Sequence, residues 1–183
     1  MKKKTVKLVS AVVVLGVVSG AYVGVNSYVS SQEKKESEAE DTSVELTSLD
    51  MDNITSVAFT AGQDKVEFDK KDDTWSEKGD ADFPVNQDTL NTAVGGVASL
   101  SAAQEISDVE DLSEYDLDSP QNEITLTTDD GDTVLQIGME NDSTSQYYVR
   151  KSDDDKKVYL VDSSAVEPFM GTLYDFAESG TFP

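Results

Sequence analysis

Residues 8–32 carry no charged side chain, and Lys2, Lys3, Lys4 and Lys7 precede them without a single acid. The first part of the run, residues 8–25, is dominated by valine with small residues between. At about 1.5 Å per residue, an uncharged helix of some 20 residues covers a hydrocarbon core of about 30 Å. Tyr22 and Tyr28 lie toward its outer end, where amphipathic rings favour the headgroup region. Lysines before the span and acids after it orient the N-terminus toward the cytoplasm and the rest outward. The expected organisation is a basic tail at 1–7, a transmembrane anchor at 8–29, a flexible acidic stalk at 30–46 and a folded extracytoplasmic domain at 47–183. A cleaved signal segment is the competing reading of 8–29, with Ser19 and Ala21 as a small-x-small pair; either leaves the domain outside the cytoplasmic membrane. Gly16, Gly20 and Gly24 share one helix face and offer a helix-pairing surface, although glycine is common in membrane spans generally.

Beyond the anchor the chain becomes strongly anionic. From Glu33 onward there are 37 acids against 10 basic residues. Such a charge repels phosphate backbones, so nucleic acid is excluded as a partner. The chain has no cysteine and no histidine. Thiol catalysis, disulfides, thiolate metal sites, a lipid-modified cysteine and histidine-based triads are therefore absent.

The folded part alternates short β-prone runs with turns. ITSVAFT and KVEFDK flank Gly62 and read as a hairpin, since apolar and polar residues alternate with period two. Lys71-Asp72-Asp73 turns the chain into TWSE, with Trp75 as a core anchor. Asn86 is placed to cap a helix in which Leu90, Val94, Val97 and Leu100 form one apolar stripe. Gly95-Gly96 weakens that helix by roughly 1 kcal/mol per glycine and invites close packing on the sheet. The plan then repeats: NEITLTT and TVLQIG around Asp129-Asp130-Gly131-Asp132, then SQYYVR and KVYLV, then DSSAVEPFMGTLYDFAES as a second helix, kinked or started late by Pro168. The expected fold is α+β, a duplicated antiparallel hairpin/sheet-plus-helix unit with halves at about 50–105 and 118–180. Between the halves, residues 103–106 suit a short strand and 112–117 a turn, with Asp116 suited to a left-handed position.

Several short elements in fixed order carry a resemblance. They are Trp75, Asp82, Glu114-Tyr115-Asp116-Leu117-Asp118-Ser119-Pro120, Leu135-Gln136-Ile137-Gly138, Tyr147-Tyr148-Val149-Arg150 and Val158-Tyr159-Leu160-Val161. Together they resemble the bacterial domain of unknown function four-three-four-zero over residues 46–172. That family commonly has glycine where this chain has Asp116. The resemblance implies a membrane-tethered or lipoprotein-like extracytoplasmic protein, some members being similar to partners of auxiliary ABC transporter components. It supplies no catalytic residues.

The functional expectation is a non-catalytic binding or scaffolding module of the cell envelope, accessory to a membrane protein such as a transporter component, with no cofactor. Tyr147 and Tyr148 must point to opposite faces of their strand, one toward the core and one outward. An outward tyrosine beside Arg150 suits a protein interface. Two other readings stand beside it. A carboxylate-dependent hydrolase of glycan or peptide needs two acids facing one cleft with their pKa values driven apart. A calcium-responsive domain draws on Asp129, Asp130 and Asp132 or on Asp153, Asp154 and Asp155, but neither group has the spacing of a twelve-residue calcium loop.

Overall fold

Alternation of apolar and polar residues dictates most of what forms. The structure, a computed structural model, describes residues 43–61 and 64–180. The expected anchor at 8–29, its glycine face at Gly16, Gly20 and Gly24, and the stalk up to residue 42 lie outside the described residues. Among the described residues no helix is long and apolar enough to cross a membrane. The described fold includes Val44 and Leu46, assigned by sequence to the stalk; Leu46 is buried in the core.

Among the described residues ten strands form: β1 (Val44–Glu45), β2 (Ile54–Ala61), β3 (Asp64–Lys71), β4 (Thr74–Glu77), β5 (Ser101–Ala102), β6 (Gln104–Ile106), β7 (Asn122–Thr128), β8 (Gly131–Asn141), β9 (Gln146–Lys151) and β10 (Val158–Asp162). β1 pairs with β5 in a small two-stranded sheet. The others make one eight-stranded sheet in the order β4-β3-β2-β7-β8-β9-β10-β6, with every pairing antiparallel. Two meanders, β2-β3-β4 and the longer β7-β8-β9-β10, thus meet along the β2–β7 pair. The fold is mixed α+β.

Turn chemistry explains the hairpins. Asp72 and Asp73 take φ of 49° and 61° between β3 and β4. Two consecutive left-handed residues match the right-handed twist of the flanking strands. Asp129 and Asp130 connect β7 to β8, and Gly131 follows at φ 128°, a conformation that favours glycine.

Helix α1 (Gln87–Ala98) begins as its cap predicts, the Asn86 carboxamide oxygen accepting the Thr89 N–H at 3.0 Å. It lays Leu90, Ala93, Val94 and Val97 on one face of the sheet. Its glycines have another environment than expected: a Cβ at Gly95 or Gly96 would meet nothing within 4 Å, so neither packs on the sheet. The second expected helix is also corrected. α2 (Ser163–Val166) lasts four residues and gives way to 3-10 turns at Glu167–Phe169 and Leu173–Phe176. Pro168 lacks the N–H that would continue the ladder. The Asp175 carboxylate accepts the Thr172 N–H at 2.6 Å and starts the last turn afresh. That break folds Phe169 and Phe176 onto Phe59, at ring separations of 5.6 Å each. Trp75 is buried as expected.

The opposite sheet face is covered only in part. Residues 107–119, between β6 and β7, cross β8, β9 and β10 and bury a second, smaller core of Val109, Leu117 and Val158.

Candidate functional site

Strand alternation sends Val149 into the main core, and so places Tyr148 and Arg150 together on the opposite face and Tyr147 on the core side. The three expected interface residues are therefore split. Tyr147 packs half-buried against the main core, and its hydroxyl meets the Glu140 carboxylate at 3.4 Å. Burial first, then the charges of Glu140 and Glu167, raise its pKa. Tyr148 is half-buried against the second core, its ring 5.0 Å from that of Tyr115. Neither tyrosine is the exposed one that strand alternation predicted, because residues 107–119 cover the outer one. Among the described residues, the exposed large hydrophobic side chains are Met139 and Tyr174.

Arg150 is the only arginine in the chain. Its cross-strand neighbour on β8 is Gln136, whose amide donates to Glu123 Oε2 on β7 at 3.0 Å. This makes a polar row across three strands. The Nε of Arg150 and the Oε1 of Gln136 are buried without a hydrogen-bond partner. No carboxylate forms an ion pair with Arg150 among the described residues.

Gly138, two residues beyond Gln136, explains how the cover sits so close. A Cβ there would lie far inside contact distance of the Tyr115 carbonyl oxygen and 2.9 Å from Leu117 Cγ. Only glycine lets the chain rest on the strand at this point. Gly138 does not end the strand as its pattern suggested; β8 continues to Asn141 past a register shift after Ile137. Asp116 takes the expected left-handed conformation, with φ 60° and ψ 31°. Tyr115, Leu117, Gly138, Tyr148 and Val158, drawn from four of the short elements read in sequence, converge on this one contact. Their order was visible in the chain; their meeting place was not.

The acid clusters resolve into turns. Asp132 accepts the Thr127 hydroxyl at 2.7 Å, and Asp154 accepts the Lys156 N–H at 2.9 Å. Among the described residues no three acidic side chains are grouped to hold a metal ion. Asp130 and Asp132 share a shallow hollow of about 380 Å³ with Asp50 and Asn53. Among the described residues, the three carboxyls with displaced pKa values are held low. Glu105 is lowered first by Lys157 and then by the Ser107 hydroxyl; Asp111 and Asp162 are lowered by the hydroxyl and then the N–H of Ser113 and Ser164. A groove of about 400 Å³ between α1 and α2 is lined by Asp88, Thr92, Ala93, Gly96, Ala165 and Pro168, with Asp88 its one carboxylate.

One structural side chain had no sequence signal. Gln87 accepts the Trp75 N–H at 2.8 Å and donates to the Trp75 carbonyl at 2.9 Å. Its amide thus stands in for a neighbouring strand on the free edge of β4.

A family profile described as Domain of unknown function (DUF4340) matches residues 75–183. No curated protein and no solved structure matches the chain.

Proposed function

The chain belongs to the DUF4340 family, and from that membership we propose that it is a single-pass, membrane-anchored docking module of the bacterial cell envelope, with its N-terminus in the cytoplasm and its acidic domain outside. The transporter-accessory role suggested by the family resemblance is the partner class we favour. One observation carries the non-catalytic part of this reading. Five of the residues that give the family resemblance, Tyr115, Leu117, Gly138, Tyr148 and Val158, are engaged in packing a loop on a sheet, and none of these five is a carboxylate or an amine. Tethering is supported by the lysine-flanked uncharged run at 8–32. The meeting of the β2-β3-β4 and β7-β8-β9-β10 meanders at β2–β7, the first followed by α1 and the second by the four-residue α2, supports an internal duplication.

Photo-crosslinking in intact membranes tests the proposal, with the reactive group placed beside Arg150 and a chain truncated after the stalk as control. A discrete membrane-protein adduct formed by the full chain, and lost when Arg150 is replaced by alanine, supports docking. No adduct above the control, from several positions on this face, removes it. Protease added to intact spheroplasts tests orientation: digestion of the domain without lysis is expected, and protection places it inside.

A further inference from the structure

Residues 107–119 read SDVEDLSEYDLDS and hold six acids, Asp108, Glu110, Asp111, Glu114, Asp116 and Asp118, with no base. None of the six forms an ion pair with a lysine or arginine among the described residues. Of the two lysines that lead into β10, Lys157 is taken by Glu105 at 2.9 Å, and Lys156 follows Asp153, Asp154 and Asp155. The segment is tied to the rest of the fold by one backbone hydrogen bond, from the Val109 N–H to the carbonyl of Lys156 in the turn between β9 and β10, at 3.0 Å. Its other backbone bonds, from the Asp116 N–H to the Ser113 carbonyl and from the Leu117 N–H to the Leu112 carbonyl, close on itself. Two of its aspartates hold left-handed backbone, Asp108 at φ 58° and Asp116 at φ 60°. Against this stands a core of three buried side chains, Val109, Leu117 and Val158, with Ile106, Leu112, Tyr115 and Tyr148 packed half-buried against it.

We propose that residues 107–119 form a cover that opens as a unit while the sheet stays folded, its closed population set by ionic screening of its own charge. Few backbone bonds to the rest of the fold and a small apolar contact are what place a segment at the low-stability end of a structure. Six uncompensated charges over thirteen residues repel one another, and that repulsion weakens as the Debye length falls from about 30 Å at 0.01 M salt to about 8 Å at 0.15 M. Opening uncovers Ile106, Tyr148 and Val158 beside Arg150. The opening does not depend on the docking reading, but it would regulate access to the same face.

Hydrogen exchange on the full-length chain, at 0.01 M and 0.15 M potassium chloride, tests the cover. Amides of Val109 and Leu117 should exchange at least 100-fold faster than those of β7 and β8, as expected of local rather than global opening. Raising the salt should slow the cover's exchange by about 3- to 10-fold relative to β7 and β8. The triple variant Asp108→Asn, Glu110→Gln, Glu114→Gln, which leaves three of the six charges, should exchange more slowly at low salt and lose most of the salt response. Protection equal to that of β7 and β8 overturns the proposal. So does a salt response shared equally with them, or an unchanged response in the triple variant.

Discussion

Gly138→Ala is the substitution on which the structure speaks most directly. The added Cβ would press into the Tyr115 carbonyl oxygen and lie 2.9 Å from Leu117 Cγ. Carbon atoms rest at about 3.5–4.0 Å, so Leu117 alone would have to retreat by roughly 0.6–1.1 Å. The carbonyl is backbone and cannot rotate clear, so the cover must rise with it. Forcing one extra carbon into a packed site costs about 1–3 kcal/mol. Alanine recovers about 0.5–1 kcal/mol over glycine within a strand. The ceiling is full release of the cover, which exposes Leu117 and Val158 at about 1.5–3 kcal/mol each before the freed loop regains its entropy. The balance predicts a loss of about 1–2 kcal/mol, or roughly 3–6 °C in Tm for a domain of this size. Urea unfolding followed by the fluorescence of buried Trp75, the only tryptophan, measures it. Combining Gly138→Ala with Leu117→Ala should cost less than the two losses summed, because Leu117 is one of the clashing groups. A variant within about 0.3 kcal/mol of the parent, or strict additivity of the pair, refutes the contact as described.

The remaining predictions follow from single features. Asp116→Gly should stabilise by about 0.5 kcal/mol, since relief of left-handed strain exceeds the added freedom of the unfolded chain; thermal denaturation reads the sign. Gln87→Ala should cost about 1–3 kcal/mol by leaving the part-buried Trp75 N–H and carbonyl without their partner. It should also promote self-association through the bared edge of β4, seen by sedimentation velocity. Asp111 and Asp162 have folded pKa values below their unfolded ones, so their contribution is complete above about pH 4 and is lost as pH falls through the folded values. Asp111→Asn with Asp162→Asn should flatten the acid limb of the stability profile. Tyr159 is raised by burial first and then by the charge of Glu105, and Tyr147 also is raised. Their contribution is complete below about pH 10 and lost as pH climbs through the folded values. Absorbance titration should show tyrosinate forming late, and Tyr147→Phe with Tyr159→Phe should remove that late fraction.

What could be read from the chain is what short-range chemistry decides. Strand alternation in NEITLTT, the Asn86 cap, the Asp-rich turns and the left-handed Asp116 are all set within a few residues of themselves, and each stands where its pattern indicated. The failures share a cause. Gly95 and Gly96 suggested close packing, yet whether a helical glycine faces a sheet or open space depends on where α1 docks. Pro168 marked a disturbance, but its extent was decided by Phe169 and Phe176 reaching Phe59 across the core. The candidate site lies wholly on this non-local side. Tyr115 and Gly138 are 23 residues apart, and nothing local to either shows that one carbonyl rests on the other. Their juxtaposition follows from two separate facts: β7 and β8 form a hairpin at Asp129 and Asp130, and the register that fixes puts Gly138 under the loop that enters β7. The same register makes Tyr148 an inner wall of the cover instead of an exposed ring. It also leaves Arg150 just beyond, with a buried, unpaired Nε and no carboxylate partner among the described residues. A surface whose aromatic half is covered and whose cation is left unpaired is poorly described by asking which residues are exposed. The informative quantity is the free energy of lifting the cover.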